Sequence, residues 1–425
     1  MQTNQQVRFC AQCGTKISAN AAFCNFCGAK QAVPQQPQPQ QPQYQAPPQN
    51  PGPPQYQAAP QYQAQPQYQT QPQQPNPQPA EPVDIIGTVS KKASALTGEN
   101  ADTNLKLQDL KLKDLVCDVT RKHTKDERDE IFSCGTAKTT PKESEISAEW
   151  PKPWLYSRVF LMFAATFALL VLIADQFQNG IAYPALMFVG ALTVPFAGRI
   201  FFFEVNAPRN TSIYEVLKVF FIGGALSLVA SLILFEIYPV RKLDYGGAIA
   251  VGIIEEIGKL VVVAIFCREA KTKHILTGRL IGAAVGAGFA VIETAGYIFD
   301  GLFAAAWDGM METLYVRAFL ALGGHIVWAA ISGAAIIICK GDQPLKSEHI
   351  FNARFLKLFL VPVVLHAIWD MPIELGDDIY LVQILLTLAA WVMVLVLLNT
   401  GLKQISRLSA AVKAAEEKAA AAPAE

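Results

Sequence analysis

The sequence has no excess of either charge: 35 Lys and Arg stand against 35 Asp and Glu in 425 residues. That balance removes any general electrostatic ground for a nucleic-acid partner, and none is expected. No secretory signal opens the chain, because Met1 to Arg8 is polar and no apolar run follows it. The N-terminus is therefore expected in the cytosol, where thiols stay reduced, so the eight cysteines do not imply disulfides. Residues 31–83 lack nearly everything except Pro, Gln, Ala and Tyr, with recurring Gln-Tyr-Gln units. Such a segment buries too little apolar surface to offset its ordering entropy, which predicts a disordered Pro/Gln-rich linker, partly polyproline II.

What is present before the linker is a cysteine pattern. In residues 1–30, Cys10-x2-Cys13 and Cys24-x2-Cys27 form two knuckles. Each supplies two thiolates from a tight turn, Gly14 and Gly28 follow them, and the spacing suits tetrahedral Zn²⁺. A piece this short has no core of its own, so metal binding would supply its folding energy. The run "FCAQCGTKI…FCNFCGAK" resembles the short zinc ribbons at the N-termini of many prokaryotic membrane proteins. Four thiolates close the coordination sphere, so this zinc is expected to be structural. A cytosolic protein partner would suit such a module. Cys117, Cys134, Cys267 and Cys339 lack ligand spacing and read as ordinary thiols.

Residues 84–153 mix charge with Leu105, Leu107, Leu110, Leu112 and Leu115, and read as a small helical cytosolic segment. From residue 154 to 402 the chain becomes membrane-like. Eight apolar stretches reach spanning length: Leu155–Ala174, Tyr183–Phe203, Val216–Phe235, Gly247–Phe266, Leu276–Phe299, Leu314–Ile338, Phe355–Trp369 and Ile379–Leu398. The expected fold is an all-α polytopic membrane bundle of about eight transmembrane helices. Lys and Arg collect in alternate connections, and by the positive-inside rule these and both termini face the cytosol. Arg241-Lys242 is an exception to that alternation. Residues 403–425 form an Ala/Glu/Lys-rich cytosolic tail. The whole reads as a multi-pass protein of a prokaryotic cell membrane.

Ionisable residues inside a bilayer are costly and usually face the bundle interior or a water-filled cavity. Four helices carry them. The fourth reads Gly252-Ile-Ile-Glu255-Glu256-Ile-Gly-Lys259, and at about 100° per residue the three charges share one wedge. Two adjacent carboxylates there cannot both be comfortably ionised, while Lys259 can hold one as an anion, which prepares a general base or a metal ligand. The fifth carries Phe289-x3-Glu293-x3-Tyr297, with Gly282 and Gly286 on the same face admitting a close neighbour. The sixth carries His325 after Gly323-Gly324, and the seventh His366-x3-Asp370, where Asp370 can orient the imidazole. At about 1.5 Å rise per residue, Glu255 and Glu293 lie roughly 13 and 9 Å from the outer ends of their spans.

These stretches, "EEIGK", "FAVIETAGY", "GGHIVWAAISG" and "LHAIWD", resemble the PrsW family of intramembrane proteases, related to the CAAX-prenyl protease and Abi superfamily. The resemblance covers about Trp154–Leu402 and includes "FFFEVNAPRNTSIYEVLKVF". It implies a catalytic group of Glu255, Glu256, Glu293, His325 and His366, supported by Lys259 and Asp370. Thr294 stands where the family often has Asn. The expected activity is hydrolysis of membrane-protein substrates near the extracytoplasmic side. In one reading Glu256, Glu293, His325 and His366 hold a catalytic divalent metal; in the other the histidines stabilise the oxyanion directly. A non-enzymatic receptor or scaffold, or a transporter, is the alternative, and a single cavity holding these side chains is what separates an active site from scattered structural charges.

Overall fold

The computed structural model describes residues 7–9, 16–18, 111–177, 179–373 and 380–421. The chain divides into two units, residues 1–83 and 84–425. In the first, β1 (Val7–Phe9) and β2 (Lys16–Ser18) pair antiparallel, with Arg8 opposite Ile17. They bracket Cys10 and Cys13; Cys10, Cys13, Cys24, Cys27 and the Pro/Gln-rich linker lie outside the described residues.

The second unit is helical. After a short 3-10 turn, Leu112–Leu115, comes α1 (Lys125–Phe132), whose Thr124 and Glu127 form a reciprocal cap. The long helices are α2 (Leu155–Gln176), α3 (Ala182–Glu204), α4 (Ile213–Ile237), α5 (Tyr245–Cys267), α6 (Ile275–Leu320), α7 (His325–Lys340), α8 (Ala353–Asp370) and α9 (Leu381–Ala421). By length and composition alone, five stretches qualify as membrane spans: Leu155–Gln176, Ala182–Glu204, Ile213–Ile237, Ile275–Lys340 and Leu381–Ala420. The expected fourth and seventh spans coincide with α5 and α8, whose apolar runs are interrupted by Glu255, Glu256 and Lys259, and by Arg354, Lys357 and Asp370.

Two expectations need correction. The fifth and sixth spans were expected to be joined by a loop, with Phe299 and Leu314 as their ends. Instead α6 is a helical hairpin that reverses only at Ala305 and Ala306, the latter at φ 52°. Gly301 lies against Gly309, and Arg317 meets Glu293, so the two arms run side by side. The expected span Leu314–Ile338 is also not one helix. The second arm of α6 ends in a 3-10 turn, Ala321–Gly323, and Gly324 adopts φ −96° and ψ −139°. His325 is consequently the first residue of a new helix. Two consecutive glycines hold a helix weakly, since each surrenders more backbone freedom than any other residue.

Close approaches at glycine fix which faces meet. A Cβ at Gly252 would strike the backbone of Ala367, so α5 and α8 touch one turn before Glu256 and beside His366. A Cβ at Gly286 would strike the carbonyl of His325, which seats the start of α7 on the first arm of α6. The latter is the contact expected from the Gly282/Gly286 face.

At one end of the bundle, residues 111–154 bind the connections between helices. Gly135 N–H donates to the Arg209 carbonyl (2.9 Å), Arg209 donates to the Glu130 carbonyl (2.6 Å), and Glu143 pairs with Lys273 and His274 at 2.8 Å. Glu204 at the end of α3 accepts the N–H groups of Trp154, Leu155 and Tyr156, each at 2.8 Å, and so caps α2.

Candidate active site

All seven sequence-predicted residues of the membrane region join one network. Glu255 and Glu256 sit on α5 one turn before Lys259, which is fully buried. Lys259 Nζ lies 2.7 Å from Glu256 Oε1, 3.5 Å from Glu255 Oε2 and 2.7 Å from His325 Nδ1, and 4.3 Å from the Phe289 ring centre. An ammonium can only donate, so His325 Nδ1 accepts and its Nε2–H donates to Glu293 Oε2 at 2.9 Å. His366 Nδ1–H donates to Glu256 Oε1 at 3.0 Å. Its Nε2 then faces Glu255 Oε2 (3.7 Å) and Asp370 Oδ2 (3.4 Å). Asp370 is thus beside the imidazole, but the shorter hold on the ring is that of Glu256.

Aromatic packing fixes both rings. Trp328 stacks on His366 at 4.4 Å and meets His325 edge-on at 5.2 Å, and Phe289 packs 4.9 Å from His325. The two imidazole centres are 5.1 Å apart. Rings wedged this way lose little further freedom when they act, which is what a preorganised site requires.

The network opens on a cavity of about 230 Å³, lined by Glu255, Glu293, Tyr297, His325, His366 and Asp370 among others. Glu256 and Lys259 lie behind it. Sequence reasoning overlooked Arg317, which also lines the cavity. It donates to Glu293 Oε2 at 2.5 Å and to Thr294 Oγ1 at 3.1 Å, and its guanidinium lies 4.2 Å from the Tyr297 ring centre. The signal was an arginine in a stretch otherwise marked by Asp300, Asp308 and Glu312, but only the hairpin brings it back to Glu293. Trp328 was missed for the opposite reason: in a membrane helix an aromatic residue carries no signal of its own.

Three ligand atoms, one each from Glu255, His325 and His366, lie within 4.8 Å of one another. Glu255 Oε2 is buried without a hydrogen-bond partner. Donor type and the orphaned oxygen suit a divalent cation; Lys259, 2.7 Å from His325 Nδ1, would have to turn away to release that donor. Glu256 is held by Lys259 and His366, and Glu293 by Arg317 and His325, so these two stand behind the three.

Residues 213–399 match the family model described as PrsW family intramembrane metalloprotease, and residues 9–31 match a zinc-ribbon domain. One relative, "Protease PrsW" of Clostridioides difficile (strain 630), is 26% identical over 167 residues, which are 37% of this chain and 66% of that protein. The chain therefore spans just under two thirds of that relative's length. No solved structure matches.

Proposed function

We propose that this chain, whose residues 213–399 match the PrsW family model, is an intramembrane peptidase of that family that hydrolyses peptide bonds of membrane-protein substrates. The observation that carries the reading is the single cavity on which Glu255, Glu293, His325, His366 and Asp370 converge. A scaffold gives no reason for buried acids and imidazoles to line a common space.

In this reading Glu255, the paired glutamate of α5 that lines the cavity, takes a proton from a water there as the water oxygen attacks the substrate carbonyl carbon. The same proton passes to the departing amide nitrogen as the C–N bond breaks. Glu256 holds the His366 ring by Nδ1–H, which leaves the His366 Nε2 lone pair for the cavity, while Glu293 and Lys259 hold the His325 ring by Nε2–H and Nδ1. Lys259 and Arg317 pair with those two carboxylates. In the metal reading Glu255, His325 and His366 would instead hold a divalent cation, with Lys259 turned away from His325 Nδ1, and the cation would polarise a carbonyl and acidify water. Tyr297 and Trp328 wall the cavity.

The orientation goes with it: both termini cytosolic in a prokaryotic membrane, the site toward the extracytoplasmic side, the four N-terminal cysteines on a structural zinc, and the ribbon offered to a cytosolic protein. Membrane proteomes of cells carrying the wild-type chain, Glu256→Gln or His366→Ala test the activity. Substrates should accumulate uncut in both variants, and wild-type cleavage in either would sink the assignment. Metal analysis of the purified protein separates the two metals. Cys10→Ser with Cys13→Ser should lose the ribbon zinc alone, and Glu255→Gln with His366→Ala any second metal.

A further inference from the structure

A second, larger cavity lies on the other side of the arm that carries Arg317. It holds about 860 Å³ between α2, α3, the second arm of α6 and α9, and is lined by residues such as Phe160, Phe167, Phe201, Leu314, Ala318 and Trp391. The second arm divides the two spaces: Leu314, Ala318 and Leu322 face this groove, while Arg317, Leu320 and Ala321 line the polar cavity. From these observations we propose that the groove is a binding site for an anionic phospholipid from the leaflet on the side of residues 111–154.

Three features select that occupant. Along α2 the lining runs from Tyr156 to Phe167, ~16 Å at about 1.5 Å per residue. One hydrocarbon leaflet is roughly 15 Å deep, half of a ~30 Å core, so the groove has the length of one leaflet's acyl chain.

The second feature is the lining's polarity. Ser157 donates to the Trp154 carbonyl, Thr193 to the Val189 carbonyl and Trp391 to the Leu322 carbonyl. Those groups are spent inside the protein, so the wall has little to offer a peptide and nothing an acyl chain lacks. The third is the mouth. Leu115 and Val116 close the end beside Tyr156. Next to them Lys111, Lys113 and Arg158 are exposed and outnumber Asp114, the acid of that turn. Among the described residues none of the three is in a salt bridge; Arg158 donates to the Arg121 carbonyl at 3.1 Å, which leaves Lys111 and Lys113 as the cations available to a phosphate. An occupied groove would press the arm toward the first arm of α6, where Arg317 meets Glu293.

The test is photolabelling of the full-length protein in phosphatidylcholine vesicles that contain phosphatidylglycerol bearing a mid-chain diazirine. Label should concentrate on peptides holding Phe160–Phe167 and Leu314–Leu322, well above the exposed α4 positions Leu232 and Ile233, and unlabelled phosphatidylglycerol should compete. Ala164→Trp, on the least buried helix, should abolish groove labelling. Lys111→Glu with Lys113→Glu lies outside the membrane spans, leaves the core untouched, and should weaken phosphatidylglycerol capture by about tenfold without changing capture of a phosphatidylcholine probe. Equal labelling of the groove and of α4, or labelling unchanged in the charge variant, would mean ordinary surrounding lipid and overturn the proposal. Displacement by an apolar transmembrane peptide but not by phosphatidylglycerol would overturn it in favour of a substrate helix.

Discussion

Lys259 is a fully buried cation at 2.7 Å from Glu256, which is also fully buried. Lys259→Met keeps the volume and removes the charge. Glu256 then retains only His366 as a partner, and His325 Nδ1 loses its donor. Breaking a buried pair from one side costs about 3–5 kcal/mol, because the remaining charge is stranded away from water. For a region of this size ~1 kcal/mol moves a melting midpoint by about 2–4 °C, so Lys259→Met should lower it by about 10 °C. Glu256→Gln alone strands Lys259 only in part, since Glu255 remains at 3.5 Å. The double variant removes the stranded Glu256 charge, leaving only the weaker 3.5 Å pairing of Glu255 unmade, and Gln can still accept from His366 Nδ1–H. It should therefore be more stable than Lys259→Met alone by about 2 kcal/mol, beyond the few tenths by which independent sites deviate from additivity. The assay is the melting midpoint of the four proteins in one detergent. Effects that simply add within ~0.5 kcal/mol would refute the pairing on which the site rests.

Three further outcomes are expected. Arg317→Gln should lower kcat by about 10–100-fold, as loss of a group that orients a ligand does. Arg317→Lys should recover only part of this, because the point-like ammonium lacks the separate Nε and Nη2 donors that reach Thr294 and Glu293. Steady-state cleavage of any accumulated substrate measures both. Glu204→Ala strands three N–H groups at the start of α2, each worth about 1–3 kcal/mol when buried and unpaired, and should expose residues 151–158 to proteolysis while the α5–α8 core stays protected. The last outcome concerns pH. Burial holds His274 below its ordinary value, against the opposing pull of Glu143. Burial also works upward on Glu143, but its bonds to Lys273 and His274 outweigh it and hold the carboxyl low. Both shifts favour the folded state at neutral pH. The histidine's share is lost as pH falls below its unfolded value near ~6.5, and the carboxylate's below ~4.3. Residues 111–154 should thus loosen on acidification from pH 7 to 5, read by hydrogen exchange. A wild-type profile in His274→Gln would refute the role of this histidine.

Much of the site was legible in the sequence because a bilayer penalises charge. Glu255, Glu256, Lys259, Glu293, His325, His366 and Asp370 each stand out against an apolar background, and helical spacing already placed the first three on one face. Gly282 and Gly286 likewise announced a close neighbour. The helical hairpin was not legible. Its turn, Ala305–Ala306, sits among residues of ordinary helix propensity, and the reversal follows from packing of the two arms rather than from any turn residue. With it went Arg317, which is distant from Glu293 along the chain.

The sequence by itself thus determined which residues could do chemistry, since their desolvation cost in a membrane must be compensated by some shared use. Tertiary structure alone decided who holds whom. It set Glu256 on His366 and Lys259, Glu293 on His325 and Arg317, and placed Glu255 on the cavity wall beside Lys259 and His366. It decided this because the close contacts at Gly252 and Gly286 fix the helix faces, and no periodicity within a single helix encodes the rotation of its neighbour.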